Sequence, residues 1–133
     1  MKEITVDAVD DNLKIVQGMI SDMLEEADCP PKIMFQVEVS VEEIFVNICH
    51  YAYGDVVGQA TVSAEVADNK LTLHFVDSGV PFNPLEREEV DITVPAEERA
   101  IGGLGIHIVK KKMDETHYIY EDGQNKLTIV KSF

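Results

Sequence analysis

The sequence contains few of the residues that redox sites and metal centres require. It has 2 cysteines and 4 histidines among its 133 residues. Cys29 and Cys49 are separated in the chain and form no CxxC motif, and the histidines show no spacing typical of metal ligands. We therefore expect two free thiols of a reducing compartment, and no metal or redox chemistry based on them.

Basic residues are also scarce, since 11 Lys and Arg oppose 25 Asp and Glu for a net charge of -14. Nucleic acids and anionic membrane surfaces bind basic patches, so neither is an expected partner. No apolar run approaches the roughly eighteen residues of a membrane span, and residues 1–7 lack the apolar core of a signal peptide. We expect a cytoplasmic protein.

The chain shows neither repeats nor a linker, and its 45% hydrophobic content is enough for a real core. We predict a single domain over residues 1–133. Period-two and helical patterns alternate in the order β-α-α-β-β-loop-α-β-β. This order predicts an α+β fold, a two-layer sandwich in which about three helices cover one face of a mostly antiparallel sheet. The predicted strands are 2–7, 59–66, 70–76, 116–121 and 126–132, and the helices are 13–27, 31–53 and 106–113.

The second predicted helix carries a polar stripe beside its apolar face. Glu43 and Asn47 are four residues apart, so a carboxylate and a carboxamide share one side of the helix and could face one ligand. Glu43 would be a general base, and the Asn47 oxygen would suit Mg²⁺. An ordinary amphipathic helix, with both residues at its water-exposed margin, explains the same pattern.

A second polar signal, Asp77-Ser78-Gly79, ends a predicted strand. Asp before Gly is common turn chemistry. The functional interpretation is an ionised carboxylate that accepts a hydrogen bond from an exocyclic amine such as that of adenine. Gly79 would then let a flat ring approach the backbone.

Residues 80–101 show no clean periodicity, which is typical of a functional lid or a disordered insert. The segment Gly102-Gly103-Leu104-Gly105 follows and leads into a helix. These glycines could merely shape a turn, or their backbone N–H groups could hold phosphates at the helix N-terminus. The chain has no GxxxxGK[ST] phosphate loop.

The order of these signals is more specific than any one of them. A helical ExxxN, a DxG at a strand end, a lid and a GGxG before a helix together resemble the Bergerat ATP-binding fold of gyrase, Hsp90, histidine kinases and MutL. The stretches VSVEEIFVNICHYAYGD, FVDSGVPFNP, IGGLGIHIVKKKMDE and YEDGQNKLTIVKSF are most similar to the anti-sigma-factor serine kinases of bacterial partner switching. The resemblance covers nearly the whole chain.

The resemblance implies a role for each residue that carries it. Glu43 matches the general base, and Asn47 matches the magnesium ligand. Asp77 matches the adenine-binding acid, with Gly79 beside it. The implied phosphate contacts are Gly102, Gly103, Leu104 and Gly105, joined by Arg99 at the γ-phosphate unless Arg99 is only a solvated lid residue. Thr128 matches a threonine near the adenine.

One position departs from the family pattern. Those kinases often have a basic residue, commonly His, four residues after the asparagine, whereas this chain has Tyr51 there and His50 one position earlier. The resemblance predicts a Mg-ATP-dependent serine kinase that acts on an anti-anti-sigma-type protein, binds a sigma factor, and is compatible with a homodimer. Tyr51 keeps open a second interpretation, a non-catalytic module whose partner choice is set by ATP. A protein that binds no nucleotide is the third.

Overall fold

The computed structural model describes residues 1–86 and 103–133. Its helices and strands follow the predicted order. The elements are β1 (Lys2–Asp7), α1 (Leu13–Glu26), α2 (Pro31–Tyr51), β2 (Gln59–Ala67), β3 (Lys70–Asp77), α3 (Gly103–Lys112), β4 (Glu115–Glu121) and β5 (Gln124–Ser132). Short 3-10 turns at Asp10–Asn12 and Pro84–Glu86 complete the described part of the chain.

The five strands form one sheet in the order β1-β2-β3-β5-β4, and every neighbouring pair is antiparallel. Two of the pairs are hairpins, β2 with β3 and β4 with β5. The β1–β2 pair spans both α1 and α2, and β3 pairs with β5 across α3. The predicted α+β sandwich is confirmed, with three α-helices in the described residues packed on one sheet face.

Alternation along the strands explains which face the helices cover. In β3, Leu71, Leu73 and Phe75 are at most 1% exposed, and the residues between them point to the opposite face. These side chains pack with an apolar stripe on α1 and α2, whose buried members are Val16, Ile20, Leu24, Val37, Val41, Ile44, Phe45 and Ile48. The core thus lies between the sheet and the helix layer.

The residues before α1 have short polar side chains that often cap helices. Asp10, Asp11 and Asn12 instead form a 3-10 turn and make no side-chain cap bond to the helix. The Asn12 amide instead donates to the Asp7 carbonyl, 2.9 Å away. Its hydrogen bond therefore closes the turn between β1 and α1, which competes with capping for the same short side chain.

The two ends of α2 follow residues that favour helix termini. Pro31 occupies the first turn, where its missing N–H costs no hydrogen bond. The helix ends at Tyr51, two residues before the predicted end, and Gly54 follows in the left-handed region with φ +61. No helix in residues 1–86 and 103–133, the 21-residue α2 included, is both long and apolar enough to cross a membrane.

Candidate functional site

The cavity of interest lies between α2 and the sheet, where β3 ends. Its walls come from α2, from the end of β3 and the loop after it, and from β4 and β5. The lining is mostly apolar: Ile44, Ile48, Tyr51, Ala52, Phe75, Val80, Phe82, Pro84, Tyr118 and Leu127. Three polar side chains, those of Asn47, Asp77 and Asn125, interrupt it. An apolar cavity with a few convergent polar groups is typical of a small-molecule site.

Asp77 is the charged group of this cavity and is only 6% exposed. Its Oδ1 accepts hydrogen bonds from the Gly79 backbone N–H and from the Asn125 side-chain amide, both at 2.9 Å. These two donors stabilise a buried carboxylate, which would otherwise be costly. The carboxylate is therefore fixed through Oδ1 and can use Oδ2 to accept a hydrogen bond from a ligand.

Glu43 and Asn47 lie together on α2, as their spacing predicted. Asn47 is 6% exposed and lines the cavity, and its Nδ2 donates to Glu43 Oε1 over 3.3 Å. This bond uses the nitrogen of the Asn47 amide and leaves its oxygen to face other groups. The pair is thus a hard-oxygen donor set beside the cavity that contains Asp77.

His50 and Tyr51 have ring centroids 6.3 Å apart, but their side chains turn to different partners. The ring of His50 turns to Asp10, with Nε2 3.0 Å from Oδ2 and 3.1 Å from Oδ1. Tyr51 instead lines the cavity beside Asn47 and packs on Phe82, with ring centroids 6.3 Å apart. The position four residues after Asn47 therefore presents an uncharged ring to the cavity, and the nearby histidine belongs to another contact.

The structure gives a second reason why residue 79 is a glycine, in addition to the close approach of a flat ring that the sequence suggested. A Cβ at this position would lie 2.2 Å from the Ala52 carbonyl oxygen and 2.5 Å from the Ala52 Cβ. The same carbonyl accepts the Val80 N–H at 2.9 Å. Gly79 therefore lets the loop after β3 pack directly on the C-terminal end of α2, which closes one end of the cavity.

Tyr53 fixes the same loop from the other side. Its hydroxyl accepts the Ser78 backbone N–H at 2.8 Å and donates to the Gln59 carbonyl. The segment after α2 is therefore joined both to the loop that follows β3 and to the start of β2. These contacts position Asp77 relative to α2, which carries Glu43 and Asn47.

Three other predicted residues lie in α3. Gly103, Leu104 and Gly105 form the first turn of α3 instead of preceding it. A helix N-terminus presents backbone N–H groups without hydrogen-bond partners in the helix, together with the positive end of the dipole. Arg99 and Gly102 lie outside the described residues. Ile106, Val109 and Met113 are buried, and their spacing places them on one side of the helix.

Thr128 lies apart from the cavity. Its hydroxyl is 2.8 Å from His74 Nδ1, and the residues on either side of it, Leu127 and Ile129, are the ones buried under the helices. Thr128 therefore points to the opposite face of the sheet. Its proposed place near an adenine stays a prediction from the resemblance.

Asn125 is the cavity residue that the sequence analysis missed. The prediction placed residues 122–125 in a turn, whereas β5 begins at Gln124 and pairs Asn125 with Asp77 in the β3–β5 register. Asn and Gly are typical turn residues, and this composition concealed a buried strand position. A buried polar residue opposite Asp77 is a signal only once the pairing of β3 with β5 is known.

Comparison with known proteins assigns the chain to a protein family. The model of the histidine kinase-like ATPase domain matches residues 6–131. The chain belongs to this family. Among curated proteins, it is 28% identical over 95 residues to the serine-protein kinase RsbW of Bacillus thuringiensis and to that of Bacillus cereus, and 28% identical over 98 residues to that of Bacillus mycoides. The predicted likeness to ATP-binding serine kinases is thereby confirmed.

These matches cover 68–71% of the chain and 59–61% of the relatives, so the chain spans about three fifths of the length of the proteins it matches. Among solved structures, the RsbU and RsbW domains of a Mycobacterium tuberculosis protein match 98% of the chain with a TM-score of 0.70 at 16% identity, over 31% of that chain. The histidine kinase domain of a blue-light activated kinase from Erythrobacter litoralis matches 90% of the chain, and 60% of its own, with a TM-score of 0.56 at 14% identity. Both support the fold.

Proposed function

We propose that this chain is an ATP-dependent protein serine kinase and anti-sigma factor, which phosphorylates an anti-anti-sigma-type protein and binds a sigma factor. The observation that carries the proposal is the cavity itself. A buried Asp77 lies in an apolar cavity whose α2 wall includes Asn47, and Asn47 is hydrogen-bonded to Glu43 on the same helix. The serine-protein kinase relatives support the activity.

In this proposal the apolar walls hold the adenine, and Asp77 Oδ2 accepts a hydrogen bond from its exocyclic amine. The phosphates lie at the N-terminus of α3, whose first turn contains Gly103 and Gly105. Backbone N–H groups at a helix N-terminus can bind phosphate without a side-chain cation. Arg99 and Gly102 are proposed to contact the phosphates from outside the described residues. Such a backbone site suits a chain with a net charge of -14.

A divalent cation fits the residues on α2. No group of three or more His, Cys, Asp or Glu side chains in residues 1–86 and 103–133 is placed to hold a metal ion. Mg²⁺ instead commonly takes one or two protein oxygens together with phosphates and waters, and Asn47 Oδ1 beside Glu43 offers such a donor. Mg²⁺ held there would neutralise charge on the phosphates.

Phosphoryl transfer then requires a base near the attacking hydroxyl, and we assign this role to Glu43. As the serine oxygen of the partner bonds to the γ-phosphorus, the bond to the β–γ bridging oxygen breaks and ADP leaves. Glu43 accepts the serine proton. Its hydrogen bond with Asn47 positions the carboxylate for this transfer.

Thermal unfolding with Mg-ATP tests the nucleotide site. At 100 times the Kd, ATP stabilises the fold by about 2.7 kcal/mol. A 133-residue chain gains roughly 3.6 °C in Tm per kcal/mol, so the expected rise is about 10 °C. Asp77→Asn should abolish this rise in Tm, because the new amide would present a donor to the exocyclic amine, which is itself a donor. The control Asp122→Asn removes the same charge from an exposed turn and should keep the rise. A wild-type protein with unchanged Tm would contradict the proposal.

Transfer of labelled γ-phosphate to the partner encoded beside this chain tests the catalytic role. Glu43→Gln should retain the ATP-dependent Tm rise and reduce transfer by about 100-fold or more, because the amide cannot accept the proton. Glu42→Gln, at an exposed neighbouring position, is the matched control and should transfer normally.

A second function, a non-catalytic module whose partner choice is set by ATP, is favoured by Tyr51. This ring faces the cavity at the position where the resembling kinases commonly have a basic residue, and His50 is engaged with Asp10. ATP binding without phosphoryl transfer by the wild-type protein would establish this alternative. Self-association as a homodimer stays a prediction.

A further inference from the structure

Asn125 makes four hydrogen bonds at the end of the cavity. Its Nδ2 donates to Asp77 Oδ1 and to the Val80 carbonyl, each at 2.9 Å. Its Oδ1 accepts the Phe82 backbone N–H at 3.1 Å and the Tyr118 hydroxyl. Two donors and two acceptors are the full capacity of a carboxamide, so this side chain, which is 5% exposed, is completely satisfied.

The chemistry of the four partners fixes the orientation of the amide. A carboxylate and a carbonyl only accept hydrogen bonds, so both must face the NH₂ group. A backbone N–H must face the oxygen, which Tyr118 also approaches as a donor. The reversed orientation would oppose donor to donor and acceptor to acceptor at three contacts or more. Asn125 therefore has one stable rotamer in this setting.

This arrangement determines what Asp77 can offer to a ligand. Oδ1 is occupied by the Asn125 amide and the Gly79 N–H, and rotation of the carboxylate would break both bonds. The remaining oxygen, Oδ2, therefore points in one direction as a pure acceptor. A ligand with a donor at that point gains a charge-assisted bond, whereas a ligand with an acceptor leaves a buried carboxylate opposed to a lone pair.

The same amide also positions the wall that faces the ligand. Through Val80 and Phe82 it holds the loop after β3, and Phe82 contacts Tyr51 of α2. The acid and the aromatic wall are thus positioned by one side chain on β5. Loss of this side chain would let both move independently.

We propose that Asn125 is a positioning and specificity-determining residue, which makes the cavity select an adenine nucleotide over a 6-oxopurine nucleotide by fixing Asp77. This inference rests on the proposed ATP site. It assigns to Asn125 no contact with the nucleotide; its effect is exerted through the Asp77 carboxylate and the Phe82 loop.

Titration calorimetry with ATP and with inosine triphosphate tests the inference by comparing their dissociation constants. In inosine triphosphate a carbonyl oxygen replaces the exocyclic amine. The wild type should prefer ATP by about 30-fold or more, the scale of a hydrogen bond to a charged group. Asn125→Ala should weaken ATP binding about 10-fold and lower the ATP-to-inosine-triphosphate preference about 5-fold or more. Val62→Ala, a core change on β2 at a fully buried position, should lower Tm and leave the preference unchanged.

The preference separates a positioning role from a purely structural one. If Asn125→Ala weakens both nucleotides equally, the inference is wrong although the ATP site stands. If the wild type binds neither nucleotide, the proposed function fails and this inference with it. Should Asn125→Ala not fold, Asn125→Ser keeps a small polar side chain that is too short to join Asp77 to the Phe82 N–H, and an unchanged preference in that variant would also overturn the inference.

Discussion

Gly79→Ala is the change whose effect can best be worked out from the structure. The added Cβ would lie 2.2 Å from the Ala52 carbonyl oxygen and 2.6 Å from its carbonyl carbon. Carbon and oxygen atoms that are not bonded stay more than about 3 Å apart, so the loop must move by about 1 Å. The obstacle is backbone at the end of α2, and a change of rotamer cannot relieve it.

The magnitude follows from the contacts that this movement breaks. Displacement of the loop removes the bond from the Val80 N–H to the Ala52 carbonyl, 2.9 Å in length, and strains the bond from Gly79 to Asp77. One lost hydrogen bond costs about 1 kcal/mol, and overpacking typically costs about 1–3 kcal/mol. We expect a loss of about 2–4 kcal/mol in the free energy of unfolding, and a Tm lower by roughly 7–14 °C.

Gly18→Ala provides a matched control with the opposite sign. Gly18 lies in α1, is exposed, and has no atom within 4 Å of an added Cβ. Ala stabilises a helix interior by about 1 kcal/mol relative to Gly, so this variant should unfold roughly 4 °C above the wild type. The same methyl group thus stabilises at one glycine and destabilises at the other.

Urea unfolding followed by circular dichroism measures both variants under one condition. The slope of the free energy against urea concentration should be unchanged, so that the midpoints report stability. A Gly79→Ala variant as stable as the wild type would contradict this prediction, because the loop would then not pack against Ala52. Weaker Mg-ATP binding by Gly79→Ala is expected too, since Asp77 loses its aligned donor.

Two further predictions concern groups outside the proposed chemistry. Burial, with a smaller contribution from the Asp10 charge, raises the pKa of the Cys49 thiol to about 11. Its thiolate fraction at pH 7 is therefore roughly 100-fold below that of an unperturbed thiol. Alkylation of Cys49 by iodoacetamide should therefore be slow, and its rate should increase as the pH rises toward 11. Asp10→Asn should accelerate the reaction, whereas the control Asp11→Asn should not. Equal rates in both variants would contradict the role of Asp10. Tyr53→Phe removes the acceptor of the Ser78 N–H and the donor to Gln59, so it should cost about 1–2 kcal/mol in thermal unfolding, and no loss would show that water replaces the hydroxyl.

Local patterns predicted most of the secondary structure. Helical periodicity located α1 and α2, and alternation with a short turn located the β2–β3 and β4–β5 hairpins. The β1–β2 and β3–β5 pairs join segments that are distant in sequence. Their partners are chosen by burial of a shared core, a non-local energy that no short window of sequence contains.

The residues of the candidate site likewise differ in whether a local pattern or a distant strand pairing determines their position. Glu43 and Asn47 could be paired from helical spacing alone, and Asp77 from its place at a strand end. Asn125 could not, since Asp122 and Gly123 just before it indicate a turn. Its position depends on the register in which β5 meets β3, and it becomes opposed to Asp77 only in the folded sheet.

The register of β5 therefore links the core to the chemistry of the cavity. Side chains alternate along a strand, so a slip of one residue would turn Asn125 outward and bring Lys126 or Gln124 to Asp77. Leu127 and Ile129, at 5% and 1% exposure, prevent this slip, because it would also expose both of them to water. Burial of these two apolar side chains, worth about 3–6 kcal/mol, thus holds in place the amide that donates to the Asp77 carboxylate. The selectivity that we propose for this cavity would thus depend on core packing two residues away.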